Sequence, residues 1–255
     1  MDRRSSMGRG LEILGALADL TAEPPHRAKV SDVVATLHRE RSQVSRTLKF
    51  LADTGLAVRD GAFYQLGWGW YAQAQALSAR RLREDGLTVL ESLSADTGEA
   101  AFLGCLQGDS TITIAESVPK RTRLIGSWVG RAFPAFCSDA GQAVLWDADD
   151  DEVRAVFART DFTSSGPNAA PGVEEFLKRL RDARDRGYSI VDQEAEPGLY
   201  SVAAPVRDFR GESIAALQIV GVRRELVERT TELGRECANA AATLSTMLGW
   251  RESSS

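Results

Sequence analysis

The chain has 255 residues, of which 43% are hydrophobic and 26% charged, with a formal net charge of -5 at pH 7 and three cysteines. This composition is typical of a globular protein with room for two modest domains, and it excludes a long disordered chain. We find no apolar run as long as a membrane-spanning helix and no signal peptide, so we expect a cytoplasmic protein without a membrane partner.

The charges are unevenly distributed along the chain. Residues 1–66 carry 10 Lys and Arg against 8 Asp and Glu, whereas the remaining residues carry 21 against 28. The N-terminal part is therefore slightly basic, and the acidity of the whole chain does not argue against nucleic-acid binding there. Arg3, Arg4 and Arg9 lie close to the start of a first helix predicted over residues 8–20, where they could meet phosphate or be solvated.

Two short helices and a hairpin are predicted over residues 30–66. The first helix has apolar residues at i, i+3, i+4 and i+7 from Val30, and a polar turn over residues 38–40 ends it. The second helix begins at Arg41, and the hairpin turns at Asp60-Gly61. Helix, turn, helix and hairpin is the order of a winged helix-turn-helix, which indicates sequence-specific DNA binding.

The second of these helices is the predicted DNA reader, because its outward faces carry side chains that bond base edges or phosphates. Arg46 could instead tie the helix to its neighbours, and Arg59 and Tyr64 of the hairpin could simply be exposed. A winged helix used for protein contacts is an alternative to DNA binding. The expected DNA contacts are Arg41, Ser42, Gln43, Ser45, Arg46 and Lys49 on the helix and Arg59 and Tyr64 on the hairpin.

A long helix over residues 68–98, which could be interrupted near Gly86, is expected to link this part to a second domain. Trp68, Trp70 and Tyr71 at its start are attributed to packing between domains or protomers. Beyond it we predict strands over 100–106, 111–118 and 123–129, a loop over 130–137, and a short helix capped by Ser138 or Asp139. The remaining predicted elements are a helix after residues 149–152, a helix over 173–186, strands over 188–192, 200–207 and 213–221, and a closing helix over 225–248.

The second domain offers little for catalysis. Both histidines, His26 and His38, lie in the N-terminal part, so no imidazole is at hand to activate a nucleophile. Cys137 could have a lowered thiol pKa or be buried, and the pair Asp192 and Glu194 could do acid/base work or be solvated. We find no phosphate-binding loop, zinc pattern or cofactor motif. We therefore expect a ligand-sensing domain, with an enzyme carrying a helix-turn-helix-like appendage as the alternative.

Seven stretches of the chain follow one another in a characteristic order and spacing: 10–14, 42–48, 60–67, 129–143, 186–188, 194–198 and 202–206. Together they resemble the IclR (isocitrate lyase regulator) family of bacterial transcription regulators, from residue 7 to residue 249. The resemblance implies an α+β fold with a winged helix-turn-helix over 1–67, a linker helix over 68–98 and a GAF-like effector-binding and oligomerisation domain over 99–255. It also implies a homodimer or homotetramer on a palindromic DNA operator. A small organic effector would bind between the central sheet and the loop 125–141.

The family's pocket positions differ here in a way that bears on the effector. Asp139 stands where relatives commonly have a small or neutral residue near a helix that receives a carboxylate ligand, and it would repel an anion. We therefore expect a neutral, cationic or largely apolar effector, unless Asp139 only caps its helix outside the pocket. Arg39, at a turn position that is usually apolar, could touch phosphate or be solvated. The expected effector contacts are Ile125, Phe133, Asp139, Ala140, Val191, Leu199, Ser201, Gln218 and Val220.

Overall fold

A computed structural model describes residues 6–22, 24–120, 127–164 and 166–251 of the chain. Contacts divide the chain into two compact units, Met1–Leu77 and Ser78–Ser255. The finer division at 67/68 and 98/99 stays a prediction. In the part of the chain that the structure describes, no helix is both long and apolar enough to cross a membrane.

The first unit consists of three helices and a three-stranded antiparallel sheet around one apolar core. Leu17, Val33, Val44 and Leu48 are fully buried in that core, as the apolar spacing of the helices predicts, and Ile13 is buried with them. The sheet has the order β1-β3-β2, and its first strand was not predicted because two residues carry too short a pattern. The elements are α1 (Ser6–Thr21), β1 (Ala28–Lys29), α2 (Val30–Leu37), α3 (Arg41–Asp53), β2 (Ala57–Asp60) and β3 (Phe63–Leu66).

The turn between α2 and α3 is built from residues with special backbone or side-chain geometry. His38 adopts a left-handed conformation with φ of 51° and ends α2. Arg39 is half-buried and donates to the Glu12 carboxylate of α1 at 2.5 Å, so it forms an ion pair within the unit and is not simply solvated, while a phosphate contact stays a prediction. Glu40 caps α3, since its side chain accepts a hydrogen bond from the Ser42 amide at 3.2 Å.

A single helix, α4 (Trp68–Thr97), follows the hairpin without a break. The expected interruption near Gly86 is absent from it. Gly86 has a packing role instead, because a Cβ atom at this position would lie 2.7 Å from Leu103 Cδ2. The glycine therefore lets the helix approach the neighbouring sheet closely, at the cost of its low helix propensity.

The second unit is built on a six-stranded antiparallel sheet with the order β6-β5-β4-β9-β8-β7. A 3-10 turn over Val227–Arg229 joins the last two helices of this unit. The sheet strands are β4 (Ala100–Gln107), β5 (Ser110–Ser117), β6 (Ala132–Pro134), β7 (Ser189–Asp192), β8 (Leu199–Arg207) and β9 (Ser213–Val222), and the helices are α5 (Gly141–Val144), α6 (Asp150–Val156), α7 (Val173–Arg186), α8 (Arg223–Leu226) and α9 (Thr230–Met247).

The two faces of this sheet carry separate apolar cores. Leu103, Leu217 and Ile219 point to the side packed by α4 and α9, with Leu90 and Leu244 among their neighbours. The alternate residues of the same strands point to the other side, where α5 and α7 contribute a second core. The α+β fold expected from the sequence is confirmed, with both units formed from helices and antiparallel sheets.

One strand lies where a loop was predicted. Of the strand expected over 123–129, residues 123–126 lie outside the described residues and residues 127–129 carry no strand. The third strand is β6, inside the expected loop 130–137, where Phe133 pairs with Thr111 of β5. A three-residue edge strand containing a proline gives no alternation to detect, which explains the error.

Candidate functional site

The outward surface of α3 is the first candidate site. Val44, Leu48 and Leu51 hold this helix in the core of the first unit, and their spacing leaves the opposite side to solvent. Gln43 is half-buried beside them. The exposed members of the predicted set on this helix are Arg41, Ser42, Ser45, Arg46 and Lys49.

Glu40 constrains the first turn of this surface. The Ser42 hydroxyl donates to Glu40 Oε2 at 2.6 Å, and this hydrogen bond is the main reason that the pKa of Glu40 is lowered. Arg46 Nε donates to the Ser42 carbonyl oxygen at 3.3 Å. The Ser42 hydroxyl is therefore already engaged, whereas the Arg41 and Lys49 side chains extend into solvent.

Of the two DNA contacts predicted on the hairpin, one is exposed and the other is buried. Arg59 is exposed, and its Nε donates to the Gly61 carbonyl oxygen at 3.0 Å. Tyr64 is only 4% exposed and belongs to the same apolar core as Ile13 and Leu17. The expected DNA contact of Tyr64 is wrong, because β3 is the central strand of the sheet and turns this ring inward.

A cavity of about 90 Å³ on one face of the large sheet is the second candidate site. It lies on the side opposite α4 and α9, next to the turn that precedes α5. The strand register explains part of its wall, because Phe102 of β4 pairs with Gln218 of β9 and both side chains leave the same face. The described residues that line it are Phe102, Thr111, Thr113, Trp128, Arg131, Phe133, Ser138, Asp139, Ala140, Ala195, Glu196, Leu199, Gln218 and Val220.

Six of the expected effector contacts line this cavity: Phe133, Asp139, Ala140, Leu199, Gln218 and Val220. Ile125 lies outside the described residues. Val191 and Ser201 do not line the cavity, although they pair with each other on the same sheet, because the Asp139 side chain stands over Ser201. The wall residues Phe102, Thr111 and Thr113 were missed, and strand alternation could have found them.

Asp139 is a wall residue of the cavity and not a helix cap. Ser201 Oγ donates to Asp139 Oδ1 at 2.5 Å, and α5 begins only at Gly141 without a side-chain cap. The expected cap by Ser138 or Asp139 is therefore wrong. Burial raises the pKa of Asp139 to about 6, opposed by the Ser201 hydrogen bond and reinforced by the nearby Glu196 carboxylate.

A buried ion pair lies behind this wall. Arg179 Nη1 of α7 lies 3.0 Å from Glu194 Oε1, and Glu194 is 4% exposed. Burial raises the pKa of Glu194 to about 7 despite the guanidinium beside it. Asp192 pairs separately with Arg223, Nε to Oδ1 at 2.7 Å. The two carboxylates thus form neither an acid/base pair nor a solvated face.

The cysteines are buried or half-buried thiols. Burial raises the pKa of both Cys105 and Cys137 to about 11, so the expectation of a lowered thiol pKa at Cys137 is wrong and its burial is what the structure shows. Among the described residues, no group of three or more His, Cys, Asp or Glu side chains could hold a metal ion.

The family assignment follows from comparison of the whole chain with known proteins. The sequence profile described as "Bacterial transcriptional regulator IclR C-terminal" matches residues 74–246. The chain belongs to the IclR family of bacterial transcriptional regulators. This IclR-family chain is 31% identical over 240 residues to the Pca regulon regulatory protein of Pseudomonas putida, which covers 89% of this chain and 79% of that protein.

Other relatives agree with this assignment. The transcriptional repressor AllR of Escherichia coli K12 is 26% identical over 230 residues, covering 87% of this chain and 83% of AllR. The IclR structure of Thermotoga maritima superimposes with a TM-score of 0.63 at 20% identity and covers 96% of this chain and 99% of its own. An IclR homologue of Microbacterium hydrocarbonoxydans complexed with 4-hydroxybenzoate has a TM-score of 0.58 at 21% identity, with 93% of this chain and 99% of that chain covered. The latter two similarities show the shared fold.

Proposed function

We propose that this IclR-family regulator binds a DNA operator through α3 and that a small effector in the sheet cavity modulates this binding. The observation that carries the first half is the division of α3, whose apolar residues Val44, Leu48 and Leu51 are buried while its Arg, Lys and Ser side chains are exposed and Gln43 is half-buried. Arginine and glutamine can bond base edges with two hydrogen bonds, whereas lysine and serine contact phosphates. The proposed contacts are Arg41, Ser42, Gln43, Ser45, Arg46, Lys49 and Arg59.

The cavity supports the second half of the proposal. Most of its wall area is apolar, and polar side chains, among them Asp139 and Gln218, converge on it. Small-molecule sites have this composition. Asp139 on the wall supports an effector that is neutral, cationic or largely apolar, because an anion would meet a poorly screened carboxylate.

Effector binding would act by shifting the population between arrangements that bind the operator and arrangements that do not. The 30-residue helix α4 is the proposed transmitter, since it runs from the first unit into the second. We propose a homodimer or homotetramer on a palindromic operator, in keeping with the symmetry of most oligomers. The chain would act as a regulator, and an enzyme with a DNA-binding appendage would instead keep its activity after deletion of residues 1–66.

A gel-shift assay with the promoter fragment upstream of the chain's own gene tests the function. At low salt we expect retardation by the full chain and a change in affinity on adding the right metabolite, with affinity falling steeply as salt is raised. An unrelated fragment of equal length is the control. If the promoter fragment is retarded no better than the control fragment, with and without metabolites, the proposed function is wrong.

A further inference from the structure

One hydrogen-bond acceptor on the cavity wall is buried without a donor among the described residues. Gln218 is 5% exposed, and its Oε1 atom is buried without a hydrogen-bond partner among the described residues. The Asp139 carboxylate lies on the same wall, and the exposed Glu196 lies at the rim. A buried acceptor of this kind is costly unless a ligand supplies the donor.

The charges around the cavity favour a positive ligand. Asp139 and Glu196 contribute two carboxylates to the lining, and Arg131 contributes the one guanidinium among the described lining residues. Arg131 is exposed, and its Cζ atom lies 5.2 Å from the centre of the Trp128 ring. Behind the wall, Arg179 lies 3.0 Å from Glu194 Oε1 and is shared with the Glu175 carboxylate, while Glu194 Oε2 is buried without a hydrogen-bond partner among the described residues.

The apolar part of the wall suits the body of such a ligand. Phe102, Trp128 and Phe133 present aromatic side chains to the cavity. Aromatic faces attract cations, and the attraction is larger when water is excluded. The volume of about 90 Å³ is smaller than the ~150 Å³ cavity that binds benzene in another protein. The apolar body of the ligand is therefore a short chain or, at most, a single ring.

We propose that the effector of this regulator is a small amine, whose ammonium N–H groups donate to Asp139 and to Gln218 Oε1 while its apolar body lies against Phe102 and Phe133. The inference rests on the proposed function, because it names the ligand class of the site proposed there. A carboxylate ligand would leave the Gln218 acceptor without a donor and would face Asp139.

Isothermal titration of the full chain with matched probes tests the proposal. Benzylamine, benzyl alcohol and benzoate share a ring and differ in the head group, and butylamine, butanol and butyrate repeat the series with a narrower body. In at least one series we expect the amine to bind about tenfold or more tighter than the alcohol, and the carboxylate weakest. A carboxylate that binds tightest, equal affinities within a series, or no amine binding in either series would overturn it.

Two substitutions locate the effect within the cavity. Asp139→Asn keeps an acceptor for Ser201 but removes the charge, so amine affinity should fall about tenfold while alcohol affinity stays the same. Gln218→Met should weaken the amine more than the alcohol. Glu236→Gln, an exposed carboxylate on α9 across the sheet, is the control and should change neither. Equal loss of amine and alcohol in Asp139→Asn would contradict the proposal, with thermal unfolding as the check on folding.

The gel-shift assay separates this inference from the function on which it rests. If the chain fails to bind its promoter but still prefers the amine through Asp139, the amine site stands and the regulatory role falls. If the chain binds its promoter and a carboxylate metabolite both binds more tightly than the amine and releases the DNA, only the present inference falls.

Discussion

Asp139 is a partly buried carboxylate on the cavity wall. Its pKa is raised to about 6 because burial disfavours the ionised form, and the nearby Glu196 carboxylate raises it further. The Asp139 charge in turn contributes to the raised pKa of Glu194. The Ser201 hydroxyl offsets part of the cost by donating to it. Keeping such a group ionised at neutral pH lowers the stability of the folded state.

Asp139→Asn should therefore change how stability depends on pH. Because the folded-state pKa is about 6 and the ordinary value is 3.8, the contribution of Asp139 is fully present below that ordinary value and is lost as pH rises through about 6. The unfolding free energy of the variant relative to the wild type should rise by about 3 kcal/mol across this window and then level off. Urea unfolding at several pH values measures it, and a difference that does not vary with pH would contradict the interpretation.

His38 is a residue in an unfavourable backbone conformation at the end of α2. Its φ of 51° lies in the left-handed region, which glycine adopts without a steric penalty. His38→Gly should raise the free energy of unfolding by about 0.5 kcal/mol, because relief of strain exceeds the added freedom of the unfolded chain. Urea unfolding detects the change, and the matched control is His38→Ala, which keeps the strain. A glycine variant no more stable than the alanine variant would argue against this account.

At the scale of elements, α3 acts as a rigid carrier of polar side chains. Arg41→Ala and Gln43→Ala should each weaken operator binding by about 1–3 kcal/mol if they contact base edges, whereas Lys49→Ala should weaken it for every sequence and lower the salt dependence. Gel-shift titration at two salt concentrations distinguishes the two classes. Arg235→Ala, an exposed arginine on α9, is the control. Unchanged operator affinity in the Arg41 and Gln43 variants would favour a winged helix used for protein contacts.

The start of α6 shows how one side chain fixes an element. Asp149 Oδ1 accepts hydrogen bonds from the amides of Asp151 at 2.9 Å and Glu152 at 2.8 Å, and Glu152 Oε2 accepts one from the Asp149 amide at 2.9 Å. Asp149→Ala should cost about 1 kcal/mol of stability, whereas Asp149→Asn, which can still accept these bonds, should cost much less. Chemical unfolding of the two variants provides the comparison, and equal losses would be inconsistent with capping as the cause.

At the scale of the whole molecule, effector and operator must influence each other equally. A ligand that lowers operator affinity about tenfold must itself bind about tenfold more weakly to the operator complex, since the coupling free energy is shared. Titration of the effector into the free chain and into the operator complex measures both sides of this cycle. Equal effector affinities in the two states would exclude the cavity as the control site.

The quality of the sequence prediction followed the strength of the local signals. α7 has the predicted bounds, because its apolar stripe is long and Gly187, with φ of 89°, caps its C-terminal end. The edge strand β6 was missed and predicted as part of a loop, because three residues show no period. Tyr64 was assigned to the surface, because alternation on a four-residue strand does not reveal which face is buried.

The sequence by itself determined the family, most of the elements in their order and the polar face of α3, because these depend on local periodicity and on motifs of fixed spacing. Only the tertiary structure decided that Asp139 and Gln218 share a cavity wall with Phe102, and that Arg39 is tied to Glu12. These residues are far apart in the chain, so strand register and helix packing bring them together. Which acceptors stay unpaired in a cavity is a property of that assembled wall, and no stretch of the sequence contains it.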